Sequence, residues 1–531
     1  MRLMSRRPPA HILLAVGAWL ATPLATPLAT SSPALAASVD AGAASDLERQ
    51  VRDWLADLVG PSVNLGGRPV RFVAQDDHFR VEYPVDGQIG ATGVTIDAGP
   101  MTALARPLEA GRWAIDDLRV PSPIKVTFGA PKGAGTMTQT TTLGEQVQHA
   151  VLDPTFATAS NLDSTIRGYE TISDQPSGTS RTSIDRIASH LTLQPTDSGR
   201  VDVLQQNDED LIAVNTVNHD LGPVAFSAEH GHSIIHINGL APTNVRPILQ
   251  AAFQFGPMAA AAMQAATEQA KVGKANAKAN AKAKAKAKPA TAASGPDFTL
   301  TPVLRAALRA ALVAMQDLST GMDEQVTLEN VHLQAAGFSG RAQKISMGMG
   351  IDAPDGKLAL KMTYGLDGMD SPDLPAGVIR EYLPRHFLLA PRVSGVPGAD
   401  VMALLLRAVD TDGNDPGLQG QAEGLLGKGP IAVGFDELGV DFGPASLTGH
   451  GEMRIIGRDN YAGEAHLAAT GLDAIIRRAN TTPQLKEAAP ILIFLKGIGQ
   501  QDGETVVWDI TYKDGQMLVN GTDMTQMMPH K

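Results

Sequence analysis

The sequence contains no cysteine. That excludes disulfides, thiolate metal sites, a cysteine nucleophile and a lipid-modified N-terminal cysteine, each of which needs a sulfur. Aromatic residues are scarce at 4%, and charged residues make up only 19%. Beyond the N-terminal region no uninterrupted apolar run reaches the roughly 18–20 residues of a membrane span. Positive charge is in deficit too. The formal net charge is −12, which argues against nucleic acid as a partner. Glycine (53) and proline (35) are near average usage in a chain of 531 residues, so collagen, a coiled-coil rod and wholesale disorder are excluded. Apolar residues are plentiful at 43%, enough for sizeable cores over a length of about three domains.

The N-terminus predicts export. Arg2, Arg6 and Arg7 precede an apolar run over 10–21, too short to span a bilayer. A Pro/Thr/Ala tract then ends in Ala34-Leu35-Ala36, a small-x-small cleavage signal. The sequence predicts a signal peptide over 1–36, cleaved after Ala36. Pro8-Pro9 after the arginine pair is a poor twin-arginine match, so ordinary secretion is expected. The expected location is the periplasm, with a soluble chain that touches a membrane face at most. Without disulfides such a chain relies on its own core, and its size allows that.

A low-complexity Ala/Lys tract divides the remainder. Residues 271–297 carry seven lysines (271, 274, 278, 282, 284, 286 and 288) and no acid before Asp297. This composition cannot bury a core and predicts a linker. It sits between an N-terminal α+β half, 37–270, and a C-terminal α+β half, 298–531. As a basic strap on an acidic body it is either a solvated spacer or a contact for anionic headgroups or for the protein's own acidic surface.

The expected fold class is α+β, an extended, curved, mostly antiparallel sheet with short strand–Gly–helix units. Four such units are predicted, each an extended run reaching a glycine and then apolar residues at i, i+3, i+4, i+7. They are Gly99 with Met101, Leu104, Ala105 and Leu108; Gly239 with Val245, Ile248, Leu249 and Ala252; Gly395 with Val401, Leu404, Leu405 and Ala408; and Gly471 with Leu472, Ile475, Ile476 and Ala479. Helices this short must dock on something, most simply the preceding sheet. Strand pairs are predicted around Asp76-Asp77, around Asp355-Gly356 together with 326–333, and around Lys513-Asp514-Gly515, because Asp-Gly supplies the positive φ of tight hairpins. Two longer helices are expected. One covers 45–59, with a Ser45…Glu48 capping box and an apolar face at Leu47, Val51, Leu55 and Leu58. The other covers 301–318, opened by Thr301-Pro302, with its face at Leu304, Leu308, Leu312 and Met315. With the helix from Val245 it would flank the Lys/Ala tract as a helical pair. The run Ile491 to Leu495 is expected as a buried helix after Pro490.

Candidate chemistry is thin. His230, His232 and His236 share one face of a strand. Two histidines at i, i+2 can reach one divalent ion, but the spacing equally describes polar residues on a solvent-facing strand. Asp410, Asp412, Asn414 and Asp415 resemble the start of a calcium loop, yet Asp415 and Gln421 stand where Gly and bidentate Glu are needed, so a turn between helices is expected. No G-x-S-x-G elbow, H-E-x-x-H or P-loop is present. Nothing selects a carboxylate pair. Trp54, Trp113 and Trp508 are expected as core anchors. No catalytic, cofactor-binding or metal-binding residue is assigned, and no cofactor is expected.

The segment 108–128 (LEAGRWAIDDLRVPSPIKVTF), the Gly-then-helix pattern and the closing strand–DG–strand–NG segment resemble an uncharacterised family of exported proteobacterial proteins. That family, a domain of unknown function, is distantly similar to AsmA-like envelope proteins. The resemblance implies a curved sheet with an apolar groove able to hold acyl chains. This chain departs from it in its shorter length, its Lys/Ala tract and its lack of a membrane anchor. The expected function is a non-enzymatic envelope protein whose partner is lipid, a membrane surface or another apolar envelope ligand. A periplasmic scaffold binding an envelope protein is the alternative, and an exported hydrolase a further one.

Overall fold

Long runs in which apolar and polar residues alternate, joined by turns of two to six residues, leave the chain little choice but consecutive antiparallel hairpins. The computed structural model describes residues 39–59, 63–64, 69–89, 94–128, 136–153, 158–176, 178–196, 198–218, 222–252, 302–335, 337–374, 378–413, 415–425, 427–457 and 460–525. The expected signal peptide over 1–36 and the Ala/Lys tract lie outside them, as does the link between the helices that flank the tract.

Ten short strands come first: β1 Val63–Asn64, β2 Arg71–Gln75, β3 His78–Pro84, β4 Gly87–Ile89, β5 Val94–Asp97, β6 Pro100–Pro107, β7 Trp113–Arg119, β8 Ile124–Phe128, β9 Met137–Thr142 and β10 Gln146–Asp153. They form two arms, β2-β3-β6-β7-β10 and β1-β4-β5-β8-β9. Both arms join one edge of β11 (Thr158–Gln175). Its first half pairs with β10 and its second half with β9. From there the sheet runs on strand beside strand: β12 Gly178–Pro195, β13 Val201–Asn218, β14 Gly222–Leu240, β15 Gly321–Ala335, β16 Phe338–Asp352, β17 Lys357–Asp367, β18 Pro384–Pro397, β19 Ile431–Phe442, β20 Ala445–Ile455 and β21 Tyr461–Thr470. It closes with β22 Gln500–Asp502, β23 Thr505–Lys513, β24 Gln516–Val519 and β25 Thr522–Asp523. Among the described residues every pairing is antiparallel, within one 25-stranded open sheet. With the helices this is the expected α+β class, heavily weighted to strand.

Helix α1 (Ala41–Val59) packs on β2. The remaining helices interrupt the hairpins at strand ends. The helix over 242–252 (α2) and α3 (Pro302–Gln316) lie between β14 and β15. The short α4 (Val378–Glu381) precedes β18. Helices α5 (Gly398–Asp410) and α6 (Gly417–Leu425) lie between β18 and β19, and α7 (Leu472–Thr481) and α8 (Ala489–Ile498) between β21 and β23. The register puts the α2/α3 and α5/α6 crossovers at one end of the strands and α7/α8 at the other. Helices α3 and α5 pack together, and Arg305 bonds Asp412 across them at 2.6 Å. Arg309 pairs with Asp410, and Arg407 holds Asp415 at 2.5 Å. The calcium-like run is thus a turn between helices whose acids are engaged by arginines.

Three of the four expected helices are present, and the strand before each reaches a glycine with positive φ: Gly239, Gly395 and Gly471. At Gly395 a Cβ would lie 2.4 Å from the Pro430 carbonyl oxygen, and at Gly471 one would lie 2.1 Å from that of Pro444. Backbone approach and handedness both require glycine there. The remaining unit, at Gly99, is corrected. Residues 100–107 form strand β6, because Met101, Ala103 and Ala105 are buried at alternate positions between β3 and β7.

Three further expectations change. Helix α1 begins four residues before Ser45. Asp40 caps it, its Oδ1 accepting from the Ala43 amide at 2.8 Å, while Glu48 accepts from the Phe72 amide instead. In α3 the buried positions are Leu304, Ala311 and Ala314, and Met315 is exposed, because small residues let the helix approach its neighbours. Helix α8 forms as predicted but is not buried, since Ile491, Ile493, Phe494 and Leu495 face solvent.

The main core lies under α1. Leu47 and Val51 pack with Phe72, Phe79, Val81, Trp113 and Ile115, and Leu249 of α2 joins them. Phe79 lies 6.0 Å from Trp113 and 6.3 Å edge-on from Phe72. Burying each such side chain stabilises the fold by about 1.5–3 kcal/mol. Trp508 anchors a smaller C-terminal core with Val506 and Val519. The side chains of Trp54, Leu55 and Leu58 lie outside the described residues.

Candidate functional site

In an antiparallel sheet, residues directly opposite on neighbouring strands point to the same face. The register therefore converts the sequence into rows that cross the sheet. One row is Leu193, Val203, Ile237, Met322, Ile351, Leu360, Val393, Val433 and Met453. These nine residues on nine adjacent strands, β12 to β20, are all aliphatic. A parallel row on the same face contains Val326, Met347, Tyr364, Leu389 and Leu438. Between them Met349 faces Met362 on one side and Glu324 on the other.

The opposite face is charged. One row there runs Arg167, Arg186, Asp210, His230, Glu329, Lys344, Asp367, His386 and Asp441. Water reaches both faces of the middle strands. Met347, Val433, Met453 and Ile351 are 38–44% exposed on the apolar side, while Asp323, Lys361 and Glu464 are exposed on the charged side.

A line of left-handed residues keeps this division intact. Gly168, Leu211, Asn330 and Gly368, on or just beyond alternate strands, have φ of 50–65° and lie at one level of the register. At such a residue the in–out alternation skips. Glu209 is buried, Asp210 and Leu211 face outward, and Ile212 is buried again. Beyond the line Tyr169, Ile184, Ile212, Ala228, Val331 and Ala342 form a compact apolar cluster.

Six histidines of the charged face each meet an aspartate directly opposite. His149 bonds Asp116 at 3.1 Å, His190 Asp163 at 2.5 Å, His230 Asp210 at 3.0 Å, His232 Asp208 at 2.7 Å, His386 Asp367 at 2.6 Å and His466 Asp509 at 2.7 Å. His230 and His232 thus stand on one face, as their spacing predicts, each held by its own acid. His236 lies opposite Asp323. Among the described residues no group of three His, Cys, Asp or Glu could hold a metal ion. Arg186 reaches Asp210 at 2.6 Å, and with His230 it keeps the Asp210 carboxyl below the usual carboxylate range.

A cleft of about 640 Å³ opens on the charged face between β18 and β23. Arg392 bonds Asp436 at 3.0 Å and Glu452 at 2.5 Å, and Arg454 also reaches Glu452 at 2.5 Å. His450 stacks on His466, with ring centroids 5.5 Å apart. Glu452 and Glu464 are direct neighbours across strands. Their proximity is what a carboxylate-pair hydrolase would need, a pairing nothing in the sequence selects. Arg454, followed by Arg392, holds Glu452 ionised below the ordinary carboxylate range, so it carries no proton to donate at neutral pH. Asp509 orients His466 at 2.7 Å, and the hydroxyl in the lining, that of Thr511, lies on the strand opposite Glu464.

No helix among the described residues is long and apolar enough to cross a membrane. Compared with protein-family models, curated proteins and solved structures, the chain has no match.

Proposed function

We propose that this is a non-enzymatic envelope protein, exported to the periplasm, that lays lipid acyl chains on the apolar face of its sheet. The observation that carries the reading is the unbroken aliphatic row from Leu193 to Met453, in whose second half Ile351, Val433 and Met453 are exposed and Leu360 and Val393 half-buried. Neighbouring strands lie about 4.8 Å apart, so the five strands from Ile351 to Met453 give an open strip about 19 Å long. That exceeds half of the roughly 30 Å hydrocarbon core of a bilayer, so the strip accommodates one extended acyl chain. Methionines 322, 347, 349, 362 and 453 are flexible and polarisable and fit chains of varied length better than a rigid ring. In this reading the line of left-handed residues creases the sheet into a shallow groove, and the three glycine–helix crossovers are repeats of one unit that braces the strand ends.

The test is solvent extraction and lipid mass spectrometry of purified protein, with a protein of similar size from the same lysate as control. Co-purifying phospholipid or fatty acid is expected. A lipid-free preparation that also leaves an acyl-chain fluorophore unchanged would overturn the proposal and favour a protein-binding scaffold.

A further inference from the structure

Helix α8 (APILIFLKGI) is apolar around nearly its whole circumference, yet only one side of it is docked. Leu492 and Ile498 pack with Leu467, Val506 and Trp508, and the Trp508 indole donates to the Leu495 carbonyl at 2.9 Å. The other side presents Ile491 (62% exposed), Ile493, Phe494 and Leu495 to water. Ten residues span about 15 Å, half a bilayer core, so the helix cannot cross one. Four side chains offer a few hundred Å² at most, well below the roughly 1,000 Å² of a stable protein interface.

The surrounding charge indicates what covers this side. Within 472–498 stand four cations, Arg477, Arg478, Lys486 and Lys496, against two acids, Asp473 and Glu487, in a chain whose net charge is −12; Lys496 pairs with Asp473 at 2.5 Å and Arg478 with Glu381 at 2.9 Å, which leaves Arg477 and Lys486. Arg477 and Lys486 are exposed. An apolar helix edge, with two exposed cations in the segment that leads to it, on an otherwise acidic protein matches an anionic bilayer surface, where apolar side chains enter the acyl boundary and cations meet headgroup phosphates. The docked side of α8 rests on Leu467 and Trp508, which continue the row through Tyr364, Leu389 and Leu438 by way of Gly449. The helix therefore stands where the apolar face ends.

We infer that α8, with Arg477 and Lys486 of the segment before it, seats the protein on an anionic membrane surface, at the end of the strip that holds lipid. The docking rests on the exposure of α8 and the charge around it, a different observation from the one behind the lipid strip.

Flotation of the full chain with phosphatidylcholine vesicles containing phosphatidylglycerol tests it. The protein is expected to float with the vesicles. Ile493→Gln/Phe494→Gln should cut the bound fraction at least about tenfold, with its melting temperature unchanged because both positions are exposed. Arg477→Gln/Lys486→Gln should weaken binding to these vesicles and leave binding to pure phosphatidylcholine as it was. A native chain that stays at the bottom of the gradient overturns the inference. So does a helix variant that floats like the native chain, or one that instead dissociates a dimer. Lipid carried through purification by a variant that no longer floats would separate docking from the strip.

Discussion

Each histidine–aspartate pair of the charged face is made by two side chains directly opposite on adjacent strands, so the register alone delivers the contact. Asp210 is the most engaged of these acids, meeting both Arg186 and His230. A carboxylate whose pKa is lowered by folding stabilises the native state fully above its unfolded value, near pH 4. That stabilisation is lost as pH falls through the lower folded value. Asp210→Asn should therefore cost on the order of 1 kcal/mol at neutral pH, a modest amount because the pair is partly solvated. The difference from the native chain should close below about pH 4. Urea midpoints taken across that range would show it, and a gap that stays constant into acid would refute the assignment. The spacing of His230 and His232 foretold their common face. Their partners were not legible, because Asp208 and Asp210 lie some twenty residues back and meet them only once the β13–β14 register is fixed.

Elements built around explicit turn chemistry were legible. Asp76, Asp355 and Asp514 all adopt the positive φ that their hairpins require. The failures came from alanine-rich and uniformly apolar stretches. Met101, Leu104, Ala105 and Leu108 fit a helical face, but alanine fits a strand interior as well, and pairing with β3 and β7 decided the outcome. Apolarity at 491–495 gave the helix and not its burial, since burial depends on whether another element arrives. The start of α1 was misplaced because Ser45…Glu48 has capping-box spacing while Asp40 has only its own carboxylate to announce it. A direct comparison tests the corrected cap. Asp40→Ala should destabilise the protein by about 1 kcal/mol, because the Ala43 amide loses its acceptor. Ser45→Ala, inside the helix, should change stability by less than about 0.5 kcal/mol. Equal effects in chemical denaturation would return the cap to Ser45.

At the scale of the molecule, one sheet carries a mainly aliphatic face and a charged one and keeps water on both over β16–β20. The alternation within each strand was visible in the sequence. The rows were not, because they form only when nine registers agree and when the left-handed residues restore the alternation where it would slip. This arrangement makes lipid binding depend on the face and not on the strand. Met347→Glu/Val433→Glu places two carboxylates on the exposed apolar face, where an acyl chain would strip them of water. Gln325→Glu places one on the charged face of β15, opposite Gly348. All three positions are exposed, so each variant should fold with a stability within about 1 kcal/mol of the native chain. The first should retain at least about tenfold less co-purified lipid, and the second should retain as much as the native protein. Quantitative lipid extraction from equal amounts of the three proteins makes the comparison. Loss of lipid in both variants would trace the binding to overall charge, and retention in both would place the ligand away from the strip; either result removes the apolar rows as the binding surface.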